Sequence, residues 1–169
     1  MSIATVFGAS MAQITGNAGG AVQAYPAANL VLGKVRSFAE RITLAAQTAG
    51  TIIGVARIRV PFVLLSVFYQ TDTSLGSTTI ALGNANTTAQ YVAAQALTTT
   101  NQKVAPTGLV TANFATQINT GYDCTTGNQV TPQAPGQGGG GYEDFVITTA
   151  AATAPASGSL IVYIEAAFE

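Results

Sequence analysis

The sequence predicts an all-β domain, a β-sandwich of jelly-roll-like form carrying an N-terminal arm, and three observations predict it. Short runs rich in β-branched and aromatic residues recur from Val35 to the end of the chain. Clusters of Gly, Pro, Asp, Asn and Ser separate them at short intervals, as turns require. Helical periodicity is almost absent over the same span, so layered sheets are the remaining way to bury the apolar positions.

Residues 1–33 differ in texture from the rest of the chain. They are rich in Ala and Gly, carry no charge, and scatter Ile3, Val6, Phe7, Met11, Ile14 and Val22 without a sustained period of 2 or 3.6. Such a stretch is too sparse to fold alone and too apolar to be well solvated. An arm that docks on its own domain or on a neighbour resolves the conflict, with Phe7, Ile14 and Val22 as candidate anchors. A short helix over Ala4–Ile14 is the alternative.

The domain proper is expected over 34–169. In Val35–Leu44, Phe38, Ile42 and Leu44 share one side, interrupted by Glu40, while Arg41 and Thr43 point the other way. Thr51–Ile58 is β-branched, and Pro61, which lacks a backbone donor, ends that pairing. Phe62–Tyr69 is apolar at almost every position, the pattern of a central strand covered on both faces. Thr71-Asp72-Thr73-Ser74-Leu75-Gly76 is turn chemistry, with Asp72 placed to cap the turn.

A short strand follows over Thr78–Gly83 and a loop over Asn84–Thr87. Gln90–Leu97 reads equally as strand or as a turn or two of helix, and Leu109–Ile118 as another strand. Residues 119–141 hold almost no large apolar groups and end in a glycine run, Gly136 to Gly141. They read as an insertion loop, unusually long for a compact domain. Asp144–Thr149 and Leu160–Glu165 close the domain as strands around the turn Pro155–Gly158, with Leu160, Val162 and Ile164 on one face.

The composition points to assembly. Only 8% of the 169 residues are charged, where about 25% is usual. The surface must therefore be finished with Thr, Ser, Asn, Gln, Ala and Gly, side chains that lose little on being covered by another subunit. Five of the six basic residues, Lys34, Arg36, Arg41, Arg57 and Arg59, fall between 34 and 59. On alternating strands the five are not all expected to share a face, so no nucleic-acid partner is indicated.

Catalytic and cofactor chemistry finds little support. Histidine is absent, which removes the usual general base and the commonest metal ligand. Glu143 and Asp144 are adjacent and point to opposite faces of a strand, so they cannot form a cleft pair by themselves; they read as a charged strand start. Asp72 alone falls short of a calcium site. The 136–141 glycines lack the Lys-Ser/Thr and following helix of a phosphate loop. Neither a cofactor nor a small-molecule substrate is expected, and an enzyme would have to rely on separated carboxylates such as Asp72 and Asp123. The one cysteine, Cys124, excludes an internal disulfide and reads as an inert thiol. No apolar run reaches the roughly 20 residues of a membrane-spanning helix, and the N-terminus lacks a basic signal-like region, so synthesis and folding in a cytoplasm are expected.

Two stretches carry a resemblance. Ala56-Arg57-Ile58-Arg59-Val60-Pro61, followed by Thr71 through Gly83 (Thr71-Asp72-Thr73-Ser74-Leu75-Gly76-Ser77-Thr78-Thr79-Ile80-Ala81-Leu82-Gly83), is similar to small proteins encoded among the structural genes of tailed phages. The ending, Glu143 through Thr148-Thr149-Ala150-Ala151 to Pro155-Ala156-Ser157-Gly158-Ser159-Leu160-Ile161-Val162-Tyr163-Ile164, fits the same group. The resemblance implies a virion structural protein: a capsid decoration, or cement, protein with a jelly-roll-like fold. It would bind the major capsid protein and itself as a homotrimer at the capsid surface and stabilise the head. The arm and the 119–141 region depart from the usual short form. A tail or baseplate component, or a sugar- or receptor-binding module using Tyr122 and Tyr142, are the alternatives.

Overall fold

The computed structural model describes residues 34–124, 126–130 and 141–168. Ten strands follow one another: β1 Lys34–Thr43, β2 Ile52–Arg59, β3 Phe62–Thr71, β4 Thr79–Gly83, β5 Val92–Ala96, β6 Gln117–Ile118, β7 Gly121–Tyr122, β8 Gln129–Val130, β9 Tyr142–Ala150 and β10 Ser159–Phe168. Eight of them form two antiparallel four-stranded sheets, ordered β1-β10-β3-β6 and β2-β9-β4-β5; β7 and β8 pair as a separate hairpin. Most successive strands of the eight cross from one sheet to the other, which is jelly-roll topology and agrees with the predicted all-β sandwich.

The core lies where the inner faces meet. Phe62, Leu64, Val67 and Tyr69 of β3 and Leu160, Val162 and Ile164 of β10 face Ile58, Ile80, Leu82, Phe145 and Ile147 across the sandwich. Phe62 meets Phe145 with ring centroids 5.7 Å apart, and Tyr91 stacks on Phe145 at 4.7 Å. Each such side chain, fully buried, contributes roughly 1.5–3 kcal/mol.

β3 departs from the expectation that both of its faces are covered. Its buried positions run 62, 64 and then 67, 69, 71, so the inward parity changes in mid-strand. The register against β10 slips at the same place, Glu165 facing Ser66 and Ala166 facing Leu64, which leaves Leu65 as the extra residue of a bulge. The opposite face of β3 bears Val63, Leu65 and Phe68, and Leu65 is 43% exposed. The apolar run thus serves one covered face and one partly bare face.

Other differences have local causes. Gln90–Leu97 resolves as a strand, β5, paired with β4. Leu109–Ile118 is mostly not a strand. Leu109 makes one isolated bridge to Val92, Thr111–Asn113 winds into a 3₁₀ turn, and Ala115 takes φ 56° before the two-residue β6. A left-handed residue ends ladder pairing there. Within 119–141, the β7–β8 hairpin occupies 121–130, while 131–140, including most of the glycine run, lie outside the described residues. Gly121 is required by close approach: a Cβ there would stand 1.9 Å from the Tyr142 carbonyl oxygen.

The predicted turns are present. Within the 71–76 turn the Thr73 and Gly76 N–H groups are capped by Thr71 Oγ1 and Ser74 Oγ. The Asp72 carboxylate instead reaches out to accept from the Ser159 backbone N–H at 2.7 Å and the Ser159 hydroxyl at 2.7 Å, tying the β3 end to the start of β10. Those bonds, led by the backbone one, hold its carboxyl below the ordinary range. Gly158, at φ 109°, supplies the left-handed residue that the Pro155–Gly158 turn needs.

Candidate interaction surfaces and the carboxylate fastening

β9 begins with Tyr142, Glu143 and Asp144, and the two carboxylates are not the solvated strand start that their sequence suggests. Glu143 is 0% exposed and Asp144 3%. They do point to opposite faces, and each is buried by a different device.

Glu143 points inward. One oxygen accepts from the Tyr91 hydroxyl and from Asn84 Nδ2 at 2.8 Å; the other accepts from the Tyr122 backbone N–H at 2.8 Å. Asn84 in turn accepts from the N–H groups of Asn86 and Thr87. A single buried carboxylate therefore joins the 84–91 loop, β9 and the hairpin. Burial pushes its pKa up against the opposing pull of those donors, and burial together with the carboxylate raises that of Tyr91.

Asp144 points outward under a cover. Arg57 of neighbouring β2 donates from Nε to Oδ1 at 2.7 Å and from Nη2 to Oδ2 at 2.8 Å, a bidentate pair. The Cys124 N–H adds a bond of 2.9 Å. Arg57 also lies over the Tyr142 ring, 3.9 Å from its centroid, and the Tyr142 hydroxyl donates to Asp123 at 2.7 Å. Burial works to raise the Asp144 pKa, but Arg57 and the Cys124 bonds outweigh it and leave the group ionised below the usual range. Burial, with the Asp144 carboxylate, pushes the Cys124 thiol up, so it stays protonated and poorly nucleophilic near neutral pH.

These placements fix what the candidate site residues can do. Donor atoms of Asp123, Cys124 and Asp144 lie within 4.8 Å of one another, but the Asp144 oxygens are committed to a guanidinium that a cation would have to displace. Asp72 and Asp123 are both tied up in hydrogen bonds. The Tyr142 ring is already covered by Arg57 and its hydroxyl donates to Asp123, and the Tyr122 N–H is tied to Glu143. Phe7, Ile14 and Val22 lie outside the described residues.

Two surfaces remain open to partners. On the outer face of the β1-β10-β3-β6 sheet, Val35, Ala167 and Val63 stand in one row across three strands, beside Leu65. Val35 is 55% exposed. Farther along that face Lys103 lies over Phe68 and Tyr163, at 4.3 and 4.6 Å from their centroids. The second surface is the open side of the sandwich between edge strands β1 and β2. Lys34, Arg36, Arg57 and Arg59 together line a groove there of about 380 Å³. The five basic residues do not all share a face, since Arg41 lies apart from this groove. The other four converge because β1 and β2, in different sheets, are edges on the same side.

No family model matches the chain, and no curated protein sequence does either. A chain in a solved structure titled "Cyanophage Pam1 capsid asymmetric unit" superposes with a TM-score of 0.53 at 20% identity, over 90% of this chain and 97% of that one. At that identity the two share a fold.

Proposed function

We propose that this protein is a phage virion structural protein, a capsid decoration or cement protein that binds the major capsid protein and itself and stabilises the head. The observation that carries the reading is the fold shared with a chain of a structure titled as a phage capsid asymmetric unit, over 90% of this chain and 97% of that one. The low charge of the sequence and the bare row of Val35, Val63, Leu65 and Ala167 are consistent with a subunit built to be covered.

In this reading the outer face of the β1-β10-β3-β6 sheet supports a homotrimer. Residues 1–33 form an arm that lies on the major capsid protein through Phe7, Ile14 and Val22. Apolar burial at about 25 cal/mol per Å² drives each contact, and repetition over many copies makes the shell durable. The protein would be made in the host cytoplasm and reside at the capsid surface.

Light scattering of the purified protein tests self-association: a stable trimer is expected, and a strict monomer at high concentration overturns it. Co-sedimentation with particles tests the arm. Deleting residues 2–33 is expected to leave a folded domain that no longer decorates capsids, and normal decoration by the truncated protein overturns that assignment.

A further inference from the structure

We propose that the groove between β1 and β2 is a docking site for an acidic, extended segment of a partner protein, which adds along the free edge of β1. Three observations converge on it.

The first is charge. The chain has net charge -1, yet its acids and bases are sorted in space. Asp72, Asp123, Glu143, Asp144 and Glu165 are each held by internal hydrogen bonds. Glu40, exposed on the same face of β1, lines the adjoining opening with Arg57 rather than the groove itself. Among the described residues, Lys34, Arg36 and Arg59 make no ion pair. They gather in one groove with Arg57, whose charge is already matched by Asp144. Three uncompensated cations in one concavity attract a polyanionic partner.

The second is backbone. Among the described residues, β1 pairs with β10 alone and β2 with β9 alone, so both strands bordering the groove are edges there. Nine of the ten β1 residues are exposed or half-buried. A strand edge of that length offers a row of main-chain donors and acceptors, the surface used in strand addition.

The third is spacing. Lys34, Arg36 and Phe38 lie on the same face of β1, and Arg57 and Arg59 on one face of β2, both at period two. A partner strand with acidic side chains at every second residue repeats at the same interval. Phe38 and Phe168, 6.2 Å apart, supply an apolar floor. The groove would select such a segment whatever the protein's wider role.

Fluorescence anisotropy on the full chain tests this, with a labelled peptide of four Glu-Val repeats as probe. The acidic peptide is expected to bind, and Arg36→Glu or Arg59→Glu to weaken it at least tenfold with the melting temperature kept. Arg41→Glu, outside the groove, should change affinity less than twofold. A Lys-Val peptide should not bind, and N-methylation of alternate amides in the Glu-Val peptide should abolish binding. Equal loss with Arg41→Glu, unchanged binding after N-methylation, or capture of a thymidine 15-mer in place of the peptide would each overturn the proposal.

Discussion

The two sheets finish their outer faces in opposite ways. That of β2-β9-β4-β5 is fastened: Arg57 clamps Asp144, the β7–β8 hairpin is bonded to β9 from both sides, and Asp144 is sealed beneath. That of β1-β10-β3-β6 is left open, with Leu65 and Val35 in solvent and, among the described residues, side-chain links from Ser66 to Glu165 and from Tyr163 to Gln70. A polar fastening closes a face for good, because its groups are satisfied internally. A bare apolar face gains only when something else covers it. Stability should therefore reside in the first face and association in the second.

The largest test of that division is Glu143→Ala. It removes the partner of the Tyr91 hydroxyl and of the Tyr122 N–H, while Asn84 Nδ2 keeps its bond to Gln90. At about 1–3 kcal/mol for each orphaned donor, thermal unfolding is expected to fall by on the order of 10 °C. Gly121→Val comes next. The added side chain overlaps the Tyr142 carbonyl, and about 1–3 kcal/mol should be lost in chemical denaturation as the hairpin lifts from β9.

The pH response distinguishes the two neighbouring carboxylates of β9, Glu143 beneath the sheet and Asp144 on its outer face. Glu143 has a folded pKa raised above its ordinary 4.5, so the folded state binds the proton more tightly than the unfolded one. Its ionisation costs stability progressively as pH rises from 4.5 through the folded value. Asp144 is lowered from 3.8, so its contribution is present above 3.8 and disappears as pH falls through the folded value. Melting curves from pH 3 to 8 should show Glu143→Gln flattening the decline above pH 4.5 while leaving the acid limb in place. An unchanged slope above pH 4.5 would mean that Glu143 stays ionised throughout. The smallest effect on stability belongs to the open face: Leu65→Asp should shift unfolding by no more than about 0.5 kcal/mol, yet reduce self-association in light scattering.

Much of the frame was legible from local pattern. Leu160, Val162 and Ile164 alternate and are all buried; the 71–76 turn is closed by its own Thr71 and Ser74 hydroxyls; Pro61 separates two strands. What local pattern misses is set by distant partners. Glu143 and Asp144 look like solvated charges until Asn84, Tyr91 and Arg57, 52 to 87 positions away, arrive beside them. The parity change in β3 depends on its register with β10, and nothing near Leu65 announces it. Convergence of four cations required knowing that two strands of different sheets border the same opening.

That sorting of charge has a practical side. A chromatographer reading the composition would choose an anion exchanger for a chain of net charge -1. A resin, like any large neighbour, meets the molecule one side at a time. The side between β1 and β2 presents Lys34, Arg36 and Arg59 unmatched, so retention on sulfonate beads near neutral pH is the behaviour to expect.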